Sequence, residues 1–227
     1  MKTDSRLPAA VIFDMDGVLV DSNPFHIQKW KEFLHERGIP YNAEDLPTQI
    51  LGVRNDTAFR HFLGPQLRKD EVKELSEDLE ARFRAAFRSH ARPLPGLMAL
   101  MDECHAEAIP MGVASSAMAK NVDFVVDTLN LRSYFTSIAT GDDVSHPKPD
   151  PEIYLKTAEK LGLAPAKCVA FEDSFVGIES AKGSGMKCVA IASAFPAEEL
   201  RRQTQADLVE NGFEELSLAR LRKLFGE

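Results

Sequence analysis

The chain has 227 residues, 44% hydrophobic and 27% charged, with a formal net charge of −8; this suits a globular protein with one core or a core plus a smaller insert, and the acidic balance disfavours nucleic acid and anionic membrane as partners. No run of about 18 apolar residues occurs, which excludes a membrane-spanning helix, and the N-terminus lacks a signal-peptide pattern. Cys104, Cys168 and Cys188 form no CxxC pair, so free thiols and a cytoplasmic location are expected, and the apolar runs around Cys168 and Cys188 predict that these two are buried.

In chain order, the compact run AAVIFD (9–14) predicts a first strand. Helical patterns follow at 24–37, 55–63 and 69–89, with no convincing strand between about residue 23 and residue 92. In the longest, Val72, Leu75, Leu79, Phe83 and Phe87 recur at three- and four-residue steps on one face. Strands and helices then alternate: helix 97–108, strand 110–115, helix 118–129, strand 136–140, helix 151–162, strand 168–172, helix 175–183, strands 187–192 and 206–210, and helix 213–225. This alternation predicts an α/β fold, a Rossmann-like parallel sheet with helices on both faces. The all-helical stretch interrupts it. The expected organisation is a discontinuous α/β core of residues 1–22 and 93–227, with an inserted all-α bundle at 23–92. Prolines in the two connections, 21–24 and 92–96, stiffen a hinge.

Ligands of open parallel sheets bind beyond the carboxyl ends of the strands. There the chain places Asp14 and Asp16, then Ser115 and Ser116, then Lys148, then Glu172 and Asp173. Clustered carboxylates repel one another. A hard cation such as Mg²⁺ resolves that conflict and screens an incoming phosphate. Lys148 adds a second positive group, and serine hydroxyls with neighbouring amides can bind phosphoryl oxygens. A carboxylate nucleophile, Asp14, splits phosphoryl transfer into two easier steps through an aspartyl phosphate, while Asp16 is placed to give and take the proton. Structural readings stay open for several residues. Glu172-Asp173 can cap the next helix, Lys148 can be a surface lysine, and Ser116 a structural hydroxyl. His26 can be a satisfied structural histidine and Arg54 an ion-pair residue. Trp30, Phe33 and Leu34 read as core of the insert.

The segment Asp14-Met15-Asp16-Gly17-Val18-Leu19-Val20-Asp21-Ser22 resembles the DxDGxxxDS opening of the haloacid dehalogenase-like superfamily. Ala114-Ser115-Ser116, the lysine of His146-Pro147-Lys148-Pro149 and Glu172-Asp173-Ser174 resemble its other three motifs, in the right order. The helical insert resembles the cap of the subgroup with β-phosphoglucomutases and sugar-phosphate phosphatases. The resemblance implies a magnesium-dependent phosphatase acting on a small phosphorylated metabolite, most naturally a sugar phosphate. Asp14 is then nucleophile and metal ligand, and Asp16 acid/base and metal ligand through its main-chain carbonyl. Asp173 is a metal ligand, Glu172 a ligand directly or through water, and Ser115, Ser116 and Lys148 bind phosphate. His26 near the hinge and Gly52 and Arg54 of the cap loop are implied to face the substrate. The mutases carry a lysine before the cap-loop glycine where this chain has Leu51, which favours transfer to water over isomerisation. Two alternatives stand beside the phosphatase: a β-phosphoglucomutase-like isomerase and a non-catalytic phosphometabolite sensor. A monomer is plausible; no feature of the sequence fixes the oligomeric state.

Overall fold

The computed structural model describes residues 7–226. Its strands are β1 (Ala10–Phe13), β2 (Met111–Ala114), β3 (Phe135–Ala139), β4 (Cys168–Glu172), β5 (Lys187–Ile191) and β6 (Leu208–Glu210). They form one six-stranded sheet, ordered β3-β2-β1-β4-β5-β6, and every pairing is parallel. Strands buried on both faces need apolar side chains on both, and β1 supplies them. Ala10 and Ile12 pack into the core on one face, Val11 and Phe13 into the core on the other. Phe13 stacks on Phe171 of β4 with ring centroids 5.2 Å apart.

Between β1 and β2 the chain makes four helices: α1 (Asn23–Glu36), α2 (Leu46–Ile50), α3 (Asn55–Leu63) and α4 (Lys69–Phe87). The apolar stripe of α4 is buried as its spacing predicts, Leu75 only in part, and Phe33 packs edge to face with both Trp30 and Phe59 within the bundle. Both chain crossings into this insert are tied together: Val20 forms an antiparallel bridge with Pro93, and the Leu94 N–H donates to the Leu19 carbonyl at 3.1 Å. After it come α5 (Leu97–Ala106), α6 (Ala119–Thr128), α7 (Glu152–Leu161), α8 (Phe175–Gly183), α9 (Ala197–Gln203) and α10 (Leu218–Arg222).

Three elements differ from the sequence reading. The final helix is shorter than 213–225, because the Ser217 hydroxyl accepts from the Arg220 N–H and starts the helix there. Phe213 instead packs against Phe13 and Phe171. The short helices α2 and α9 were not expected; each is too short to show a full amphipathic period. The three cysteines are free and buried, and no described helix is long and apolar enough to cross a membrane.

Candidate active site

The strand order reverses at β1, between β2 and β4, so a crevice opens beyond their carboxyl ends. Asp14 follows β1 directly, its N–H donating to the Phe171 carbonyl at 2.9 Å. Lys148, 4% exposed, reaches it from the loop before α7. Its Nζ donates to Asp14 Oδ1 at 2.7 Å, to Glu172 Oε1 at 2.5 Å and to the Ala114 carbonyl at 3.0 Å. All three ammonium donors are thereby spent on groups at the ends of three different strands.

Glu172 is fully buried and heavily committed. Oε1 also accepts from the Tyr154 hydroxyl at 2.7 Å, and Oε2 accepts from the Asp173 N–H and the Ser174 hydroxyl. Gly177 makes room for it, since a Cβ there would lie 2.0 Å from Oε2. Asp173 Oδ2 accepts from Asn23 Nδ2 at 2.6 Å and from the Ser193 hydroxyl at 3.3 Å. Gly17, at φ +73°, is the second necessary glycine: a Cβ there would sit 1.8 Å from the same oxygen.

Asp16 Oδ1 accepts from the Ser22 hydroxyl at 2.5 Å and faces His26 Nε2 at 3.2 Å. The His26 ring stacks on Phe83 of α4, centroids 3.8 Å apart. Burial works against the Asp16 charge, but His26 and Ser22 hold its carboxyl below the usual range. His26 is likewise disfavoured by burial yet raised by the Asp16 charge and, more weakly, by Glu80. Asp14 behaves oppositely. Burial, with Glu172 and Asp16 adding to it, outweighs the Lys148 charge and pushes its carboxyl up to about 8. Burial, with Asp14 and Glu172, lifts Asp173 well above the carboxylate range.

The serines divide. Ser115 is buried and its hydroxyl accepts from the Ala117 N–H at 3.1 Å, whereas the Ser116 hydroxyl crosses to the insert and donates to the Gly52 carbonyl at 2.8 Å. Gly52, at φ +72°, rests against Ser174; a Cβ would come within 2.1 Å of that hydroxyl. Arg54 pairs with Asp56 at 2.7 and 2.8 Å and donates to the Val144 carbonyl at 3.2 Å. These contacts seat the insert on the core.

The structure thus gathers Asp14, Lys148, Glu172 and Asp173 at one point, with Asp16 and His26 beside it. Asn23, Tyr154 and Ser193 were missed. Asn23 follows the opening motif at once and was within reach of inspection; Tyr154 and Ser193 meet the acids only through the fold. A cavity of about 440 Å³ runs from Asp14 and Ser115 along α1 and α4.

Carboxylate oxygens of Asp14, Glu172 and Asp173 lie within 4.8 Å of one another. Three buried acids share one lysine there. A hard divalent cation fits that excess of negative charge and the all-oxygen donor set.

The sequence matches the family model for haloacid dehalogenase-like hydrolase over residues 11–191. It is 33% identical to the phosphorylated carbohydrates phosphatase of Thermotoga maritima, covering 78% of this chain and 82% of the relative. It is 30% identical to the β-phosphoglucomutase of Bacillus subtilis, covering 94% and 98%. Among solved structures, a family IA, variant 3 HAD hydrolase from Entamoeba histolytica superposes with a TM-score of 0.85 at 29% identity, covering 96% of this chain and 99% of that one.

Proposed function

The chain belongs to the haloacid dehalogenase-like hydrolases, and we propose that it hydrolyses a small phosphomonoester, a sugar phosphate, with Mg²⁺ and an aspartyl-phosphate intermediate. The observation that carries this reading is the Lys148 bridge: a buried ammonium 2.7 Å from Asp14 Oδ1, beside two further buried acids, with Asp14 itself on the lining of a cavity. The naming of the Thermotoga maritima relative supports the substrate class.

In this proposal residues 23–92 act as a cap over the core of 1–22 and 93–227. A carboxylate oxygen of Asp14 attacks phosphorus in line with the departing alkoxide, which takes its proton from Asp16. Water then attacks the aspartyl phosphate, Asp16 takes the water's proton, and phosphate leaves with Asp14 restored. His26, facing Asp16 Oδ1 and held toward its charged form, keeps a proton within reach of that carboxyl. Ser115, whose hydroxyl here only accepts, donates to a phosphoryl oxygen, Lys148 and Ser116 bind the others by exchanging the Ala114 and Gly52 carbonyls for them, and Gly52 and Arg54 close the cap loop over them. Asp14, Asp173 and the Asp16 carbonyl would hold Mg²⁺, with Glu172 contributing charge and holding Lys148, because its oxygens already accept hydrogen bonds from Lys148, Tyr154 and Ser174. When bound, the ion neutralises charge on the phosphoryl group.

The test supplies the purified chain and Mg²⁺ with a panel of phosphorylated metabolites that includes β-glucose 1-phosphate. Free phosphate is expected, falling roughly a thousandfold or more in Asp14→Asn. Glucose 6-phosphate in place of free phosphate identifies the isomerase. Tight binding of the sugar phosphates with no turnover identifies the sensor. No phosphate from any member, and no effect of Asp14→Asn, ends the proposal.

A further inference from the structure

Glu80 sits on the buried face of α4, two turns after Val72, in line with Ser76. It is 5% exposed, and its side chain lines the same cavity as Asp14 and His26. A buried carboxylate on an otherwise apolar stripe is costly unless its charge is used. Its hydrogen-bond partners are two neutral amides. Asn55 Nδ2, from the start of α3, donates to Oε1 at 2.7 Å, and Asn121 Nδ2, from α6 of the core, donates to Oε2. Arg84 supports the pair only at one remove, donating to Asn121 Oδ1 at 2.5 Å. An ionised carboxylate offers about four acceptor positions, and two are used here.

Despite its burial, His26, in the same cavity, is raised toward its charged form mainly by Asp16, which it faces, and partly by Glu80; the other cations along the cavity lie elsewhere. Arg54 is occupied by Asp56 and the Val144 carbonyl, and Arg60 by the Pro65 and Leu67 carbonyls. Lys69 and Lys73 are exposed. Lys73 precedes Glu80 by seven residues, about 10 Å along the helix axis. The cavity therefore has positive charge at its mouth and a buried negative charge further in. An anion is drawn to the entrance, but a second anion seated beside Glu80 meets a like charge where solvent screens little. Hydroxyl groups meet an acceptor with capacity to spare.

We propose that Glu80 selects the leaving group, accepting hydrogen bonds from the hydroxyls of a monophosphorylated sugar or polyol and rejecting substrates that carry a second phosphate at that end. The proposal rests on the phosphatase reading for the position of the reacting phosphate at Asp14. It goes beyond that reading by assigning a further residue of the cavity lining and by disfavouring the bisphosphorylated intermediate that an isomerase must hold.

The test compares the full chain with Glu80→Gln and Glu80→Asp on glucose 6-phosphate, fructose 1-phosphate, fructose 1,6-bisphosphate and phosphoethanolamine, all with Mg²⁺. In Glu80→Gln the kcat/KM ratio of monophosphate to bisphosphate is expected to fall by about tenfold or more, the scale of losing a hydrogen bond to a charged group and relieving a repulsion. Glu80→Asp, which withdraws the carboxylate by one methylene, moves the ratio the same way and serves if the glutamine variant does not fold. A common factor on every substrate, as a merely structural link between α3, α4 and α6 gives, overturns the proposal. So does an unchanged ratio, or a wild-type preference for phosphoethanolamine that Glu80→Gln removes. Calorimetric binding of the same compounds to Asp14→Asn, with and without Glu80→Gln, reads the selectivity without turnover. Lack of catalysis in the wild type then removes the phosphatase reading alone, and lack of discrimination in the binding series removes the Glu80 assignment alone.

Discussion

Asp14 at about 8 and Asp173 well above the carboxylate range hold protons in the folded, metal-free chain that the unfolded chain has already released near pH 4. The sign of the linkage follows. Their contribution to stability is complete below the unfolded value and is lost as pH rises through the folded one. Asp16, held low, runs the other way and is lost only in acid. In chelator, the melting temperature is therefore expected to fall between pH 6 and pH 9. Added Mg²⁺ is expected to raise it more at pH 9 than at pH 6, by about 3–6 °C. Equal shifts at both values, read by calorimetry in matched ionic strength, would refute the assignment of these acids to a cation site. At this scale the sequence exposed the residues that stand next to each other in short motifs: Asp14 with Asp16, and Glu172 with Asp173. It hid Tyr154, Ser193 and Asn121, whose partners lie in distant segments and whose types carry no local signal. Glu80 did leave a trace, as a charge among Val72, Leu79 and Phe83 on a stripe that otherwise buries apolar groups.

Loops and helix ends decide how the insert meets the core. The loop at Gly52 is gripped from both sides, by the Ser116 hydroxyl on its carbonyl and by Ser174 against its α-carbon. Gly52→Ala adds a methyl group 2.1 Å from the Ser174 hydroxyl and at a positive φ. The expected result is a protein that folds, because the strain falls on one loop where the insert meets the core, but loses at least about tenfold in kcat/KM as the loop fails to seat. Wild-type kinetics in that variant would show that the seated loop is not the working arrangement. Periodic elements were legible throughout, since the strands and the long α4 bury faces of fixed repeat. The ends of the chain were less so. Residues 213–225 look continuous in pattern, yet a serine cap and the burial of Phe213 against Phe13 and Phe171 place the helix start later. That choice is made by tertiary packing and leaves no mark in hydrophobic spacing.

At the scale of the molecule, the insert meets the core through polar contacts, among them Ser116 to Gly52, Arg54 to Val144, Asn121 to Glu80 and Lys120 to Glu77 on the surface, and through Phe83 and Phe87 of α4, which join an apolar cluster of the core. The polar contacts exchange readily with water, and an open form is expected on that ground. Small-angle scattering is expected to show a larger radius of gyration for the free chain than for the chain with Mg²⁺ and a phosphate mimic; identical profiles would mean that the insert is fixed. The pairing of Val20 with Pro93 bears on more than this motion. Seen from the sheet, the polypeptide steps out and returns through a single doorway, so the excursion beyond it is nearly invisible to the strands. Doubling the length of such an excursion costs only about 0.6 kcal/mol in closure entropy. On the proposed reading, the part that chooses what is bound can therefore be lengthened or remodelled while the part that breaks the bond stays intact.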